Sequence, residues 1–199
     1  FLPLYALGLL KSPAFKLLGE VKLDEKYYWI LKLLGASMPR CMKLSYARIY
    51  KISDIQNTSL SYGYPDEETG CIIKPPVVDC TSDNLTSTDL CIIDDGEYIT
   101  LYVGSNVDPN LIYDIFGYED WGSLHHYGIS TLDVQMETDA YIRIINITEQ
   151  IRSENDGSYQ PVEVILEGSI KHKRIQMYTL MEDSVNKNRE FTYPAFLSH

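Results

Sequence analysis

The run Leu90-Cys91-Ile92-Ile93-Asp94-Asp95-Gly96-Glu97-Tyr98-Ile99-Thr100-Leu101-Tyr102-Val103 decides the fold. Two apolar, β-prone segments, 90–93 and 98–103, flank Asp95-Gly96. That dipeptide tolerates the positive backbone angles of a tight turn, so the run predicts an antiparallel hairpin. Toward the C-terminus, Asp108-Pro109 supplies an N-cap and a first-turn proline for a helix over 110–116, which Gly117 ends. A longer helix is predicted over 137–152, with Ala140, Ile144, Ile147 and Ile151 on one face. Arg143 lies off that face and is expected to be dispensable for stability. Further strands are predicted over 162–166 and 176–182, with a closing helical turn from about Tyr193.

Toward the N-terminus the pattern is helical. Pro3 begins a short helix that Ser12-Pro13 interrupts. Asp24 is placed to cap a second helix, in which Tyr27, Ile30, Leu31 and Leu34 recur at helical spacing and Gly35 is expected to adopt a left-handed cap. Pro39 opens a third helix, to about Tyr46. A strand over 49–52 follows. Residues 57–70 have no hydrophobic period and read as a linker. The predicted organisation is α+β: residues 1–46 helical, 47–70 strand and linker, 71–199 a mixed sheet of about five strands packed between helices.

Composition restricts the function classes. The 199 residues are 45% hydrophobic, enough to bury a core, which excludes a disordered chain. No apolar run approaches ~20 residues. The longest, 1–10, lacks a basic stretch before it and a clear cleavage site after it, so it is not read as a signal peptide. Because the chain opens at Phe1 inside a hydrophobic pattern, it reads as a piece of something longer.

The net charge of −11 is unevenly spread. Residues 1–56 hold nine basic and four acidic side chains, and the remainder eight and twenty-four. An acidic body repels phosphate backbones, so nucleic acid is not an expected partner. The basic first quarter is either a solvated helix face or a surface for something anionic, with Lys16, Lys22, Lys26, Lys32 and Lys43 as the candidate contacts.

Catalytic chemistry leaves no trace. Cys41, Cys71, Cys80 and Cys91 have no C-x-x-C spacing, so a zinc site is not expected and reduced thiols are. The sequons at Asn57, Asn84 and Asn146 would matter only in a secretory lumen. Neighbouring side chains diverge, so His125-His126 makes a poor metal site. The acidic cluster Asp94-Asp95-Gly96-Glu97 lacks the ligand spacing of an EF-hand and is read as a turn. Nucleophile elbows and phosphate-binding glycine loops are absent. No catalytic, metal or cofactor residue is assigned, and the chain is expected not to be an enzyme.

The string of residues carries more than its chemistry does. Residues 1–15, the segment 21–27 and the strand 49–52 resemble the end of the helical domain in the cargo-adaptor subunits of the COPII vesicle coat, although Lys22 stands where that family usually has Arg. Residues 94–104, 111–118, Leu132-Asp133, 180–183 and 193–199 resemble the family's gelsolin-like domain. The acidic loop Asp66-Glu67-Glu68, the basic stretch 168–174 and Pro194 depart from the pattern. The resemblance implies cargo selection and vesicle formation for endoplasmic reticulum to Golgi transport. It implies a cytoplasmic protein, peripheral on endoplasmic-reticulum exit sites and vesicles. The implied partners are a sister inner-coat subunit, a coat-recruiting small GTPase, cargo sorting signals and SNAREs, with an anionic membrane surface as a further contact. The family's zinc finger would lie upstream, leaving this segment without a cofactor. The alternative is a calcium-regulated gelsolin-type actin-binding module, which accounts for residues 71–199 and leaves 1–15 unexplained.

Overall fold

The computed structural model describes residues 2–16, 21–57, 59–132, 136–155, 160–178 and 193–198. Helices α1 (Leu2–Lys11), α2 (Leu23–Gly35) and α3 (Met38–Ser45) precede β1 (Arg48–Lys51). Strands β2 (Val77–Val78), β3 (Leu90–Asp94) and β4 (Ile99–Val103) follow. Then come α4 (Pro109–Phe116), α5 (Trp121–His126), α6 (Asp139–Ser153), β5 (Val162–Leu166), α7 (Ile170–Tyr178) and α8 (Tyr193–Leu197).

The hairpin forms as its sequence requires. β3 and β4 pair from Leu90 with Val103 to Asp94 with Ile99. The Asp95 carboxylate accepts the amides of Glu97 and Tyr98, and Gly96 takes φ 78°. A side chain there would also meet the backbone nitrogen of Leu44 at 3.0 Å, so α3 can approach only because residue 96 is glycine. The strands order β2-β1-β3-β4-β5, antiparallel except for the parallel pair β4–β5.

Both faces of β3 and β4 are buried. This explains their continuous apolar reading where a one-sided sheet would alternate. On one face Ile92, Leu101, Val103 and Val164 pack with Leu111 and Ile115 of α4 and Ile144, Ile147 and Ile151 of α6. On the other, Ile49, Cys91, Ile93, Tyr102 and Ile165 pack with Cys80, Leu85 and Ile175 of α7. As predicted, Asp108 caps α4 and Gly117 ends it in the left-handed region.

Several expectations are corrected. Residues 176–178 lie in α7 and not in a strand, and the rest of the predicted strand, 179–182, lies outside the described residues. The fifth strand is the two-residue β2, paired with β1 at the sheet edge. Two residues after Pro75-Pro76 are too short to show a period. The strand grouped with the linker, β1, is interior, flanked by β2 and β3, so the sheet begins before residue 71. In α2, Gly35 is helical and Ala36 follows in extended geometry, while Lys22, not Asp24, is the N-cap residue.

The buried face of α2 also differs from its spacing: of Tyr27, Ile30, Leu31 and Leu34, only Ile30 packs inward. Trp29 is buried with Ile30 and Leu33 against it, whereas Leu23, Tyr27, Leu31 and Leu34 are exposed. Apolar residues occupy most of its circumference, so spacing alone could not choose the side.

Arg143 is the largest correction, being fully buried. Its guanidinium donates to the carbonyls of Ile55, Leu60 and Tyr62 and lies 4.7 Å from the Tyr64 ring centroid. Asn146 donates to the Gly63 carbonyl at 2.9 Å, and the Ile72 amide donates to Gln150 at 3.2 Å. The backbone of Gly63 crosses α6 so closely that a Cβ would stand 2.5 Å from that of Arg143. The stretch that reads as a linker is therefore fastened along α6 by hydrogen bonds.

Candidate functional site

The basic residues of the first quarter and the acidic turn of the hairpin meet at one junction. α3 brings Lys43 to the end of β3, where its ammonium lies 2.7 Å from the Asp94 carboxylate. Both side chains are buried. Asn155, just after α6, completes the cluster: its Oδ1 accepts from Lys43 at 2.6 Å, and its amide donates to Asp94 at 3.2 Å and to Gln160 Oε1 at 2.6 Å. The Gly96 amide donates at 3.1 Å to the same Asp94 oxygen, Oδ1, while Oδ2 faces the Lys43 ammonium. A buried charge pair leans on such neighbours, although among the described residues Gln160 Nε2 is left without a hydrogen-bond partner and Asp94 Oδ2 has only the Lys43 charge.

A second layer lies nearer solvent. Glu97 receives the Lys32 ammonium and the Tyr28 hydroxyl from α2. Arg40 donates to the Gly96 carbonyl at 3.1 Å. Burial, and then the adjacent Arg40, push the Lys32 pKa down against the opposing pull of Asp95. The acidic turn is thus the socket in which the helical segment is held.

The five lysines proposed from sequence do not form one face. Lys43 is interior and corrected from surface contact to structural anchor. Lys32 is engaged by Glu97. The other three gather at the start of α2, where Lys26 donates to the Lys16 carbonyl at 2.6 Å and Lys22 is exposed. Sequence reasoning missed Asn155 and Gln160 altogether. Their one signal, a polar residue at an apolar position, is invisible without the partner that burial supplies.

Other candidates offer no reactive constellation. Among the described residues no three His, Cys, Asp or Glu side chains converge to hold a metal. His125 stacks on Trp121 with centroids 5.0 Å apart, and His126 meets Tyr127 edge-on. They end the short helix α5. None of the four cysteines forms a disulfide. Burial, and then Asp89, push the Cys91 thiol up to about 12, far from the thiolate a nucleophile needs. A cavity of about 100 Å³ lies between the helical segment and the sheet, lined by Lys11, Trp29, Ser45, Ile93, Thr100 and Ile175 among others. That is well below the roughly 300 Å³ at which small-molecule sites begin.

Comparison with known proteins agrees with this arrangement. The family model of the gelsolin repeat matches residues 72–139. The chain is 29% identical over 158 residues to the protein transport protein sec24 of Aspergillus niger, covering 79% of this chain and 17% of that protein. It is 32% identical over 123 residues to SEC24 of Chaetomium globosum, covering 62% of this chain and 13% of that protein. The crystal structure of the human COPII-coat protein Sec24c matches the whole chain with a TM-score of 0.77 at 18% identity, over 24% of its own length. The chain therefore spans about one-sixth of the length of the A. niger relative. The turn identified as a socket, 94–97, falls inside the gelsolin-repeat match, whereas α1 to α3 and β1 lie before it. By sequence and by fold, this chain resembles a part of the Sec24 protein transport proteins.

Proposed function

We propose that the chain is a segment of a COPII cargo adaptor and acts by recognition, with no bond-making step. The observation that carries this reading is the similarity to Sec24 proteins across the helix-to-sheet junction, including helices that a lone gelsolin module would not need. The junction supports it physically. Buried polar contacts lock α3 to the hairpin, so the helical segment and the sheet move as one unit, which suits a scaffold subunit of a coat.

In this reading the whole protein pairs with a sister inner-coat subunit and is recruited by a small GTPase. It selects cargo signals and SNAREs at endoplasmic-reticulum exit sites from the cytoplasmic side. The segment works without a cofactor. Among the described residues no helix is long and apolar enough to cross a membrane, so attachment would be peripheral. Lys16, Lys22 and Lys26 then form the part of the basic set able to face anionic lipid, where each near-surface lysine adds about 1 kcal/mol.

A chimera tests the proposal: this chain replaces the matching segment of A. niger sec24, and delivery of a secreted reporter is measured. Transport sustained by the chimera supports the reading. A chimera that folds and accumulates normally yet blocks export would overturn it, and actin co-sedimentation by the isolated chain would favour the gelsolin-type alternative.

A further inference from the structure

Residues 75–142 contain thirteen Asp and Glu and not one Lys or Arg. Within that stretch several acidic groups are neutralised from elsewhere: Asp89 by Lys51, Asp94 by Lys43 and Glu97 by Lys32. Around α5 the situation differs. Among the described residues no cation pairs with Asp114, Glu119 or Asp120, and the last two are exposed.

The same short helix carries a cluster of rings. Tyr118 and Tyr127, at its two flanks, lie with centroids 5.3 Å apart, and His126 packs edge-on to Tyr127. Trp121 and His125, one helical turn apart, stack. Tyr127 is 67% exposed. The backbone that carries the rings is anchored. Leu124 anchors α5 in the core, Asp120 caps its first turn through the Ser123 amide at 2.7 Å, and Gly128, at φ 64°, reverses the chain after it.

Aromatic faces carry negative quadrupole potential and attract guanidinium and ammonium groups. Carboxylates that no cation neutralises add long-range attraction and orient the approach. Ordered rings lose little conformational freedom on binding. We infer that the α5 surface, formed by Tyr118, Glu119, Asp120, Trp121 and Tyr127, docks an extended polypeptide segment rich in Arg or Lys. An anionic membrane does not fit, because these carboxylates would repel it. The inference does not depend on the coat-adaptor reading.

The test uses the full chain and a fluorescently labelled Arg-Ser repeat peptide, with a Glu-Ser repeat as control, followed by fluorescence anisotropy at low salt. The Arg-Ser peptide is expected to bind and the Glu-Ser peptide not to. Tyr127→Ala and Glu119→Lys should each weaken binding about tenfold, and ~0.5 M salt should weaken it further. Asp66→Lys, in the acidic loop 66–68 outside the α5 surface, should leave affinity unchanged, and melting curves verify that each variant folds. No binding, equal binding by all variants, or equal loss with Asp66→Lys would overturn the inference, the last by showing that net acidity alone is responsible.

Discussion

The two sides of α6 are held by different forces. Its inner side lays Ala140, Ile144, Ile147 and Ile151 on the sheet in a dry aliphatic contact. Its other side fastens the loop after β1 through Arg143, Asn146 and Gln150. The first contact is non-directional and leaves a periodic trace in the sequence. The second is directional and leaves none, because whether an arginine meets carbonyls or water depends on a chain segment some 80 residues away. A polar residue on a helix is therefore no guide to exposure. The junction at Lys43 teaches the same lesson with an ion pair.

The sharpest test of that contrast is Lys43→Ala, which leaves Asp94 charged and buried. It should cost about 3–5 kcal/mol in chemical denaturation. The double variant Lys43→Met with Asp94→Asn removes both charges and should recover most of the loss. If the single and double variants unfold alike, the ion pair is not what the junction depends on.

Next, Arg143→Ala and Ile144→Ala should be comparable, each near 3 kcal/mol. One loses charged hydrogen bonds and strands carbonyls, and the other opens a cavity. A thermal midpoint for Arg143→Ala close to that of the parent would show that the loop does not rely on α6.

A smaller effect is expected with pH. The Gly168 amide donates to His172 Nδ1 at 2.9 Å. Burial lowers the His172 pKa, with Glu167 opposing. The unfolded chain then takes the proton more readily than the folded one. The stability His172 contributes is present above an unfolded pKa of about 6.5 and falls away as pH drops through the lower folded value. The midpoint should decline from about pH 7 to pH 5, and His172→Gln should flatten that decline while keeping an acceptor for Gly168. An unchanged slope would assign the pH response to the carboxylates.

The smallest effect belongs to the outer layer of the junction. Lys32→Ala breaks an ion pair near solvent and should cost less than about 1 kcal/mol. A loss as large as that of Lys43→Ala would mean that α2 is a structural member of the junction and not an accessory to it.

The hairpin, the capped helix α4 and the inner face of α6 were legible because each follows from local chemistry: a turn dipeptide, a cap and a hydrophobic period. Residues 176–178 were misread because their apolar and β-prone character did not reveal the helix that begins after Gly168. Strand β2 was missed because two residues have no period. The candidate site was half legible. Its acidic turn and its basic segment both stood out, yet they read as two separate features. One was read as a turn and the other as either a solvated helix face or a surface for something anionic.

What the sequence determined by itself was the set of elements whose signals are local, together with the family resemblance carried by strings of residues. Only the tertiary structure decided that Lys43 neutralises Asp94, that Arg143 organises the loop after β1, and that α2 turns Trp29 inward and Leu31 outward. The physical reason is range. Caps, turns and periodicity act within a few residues, whereas burying a charge requires a partner that the fold must bring from far along the chain.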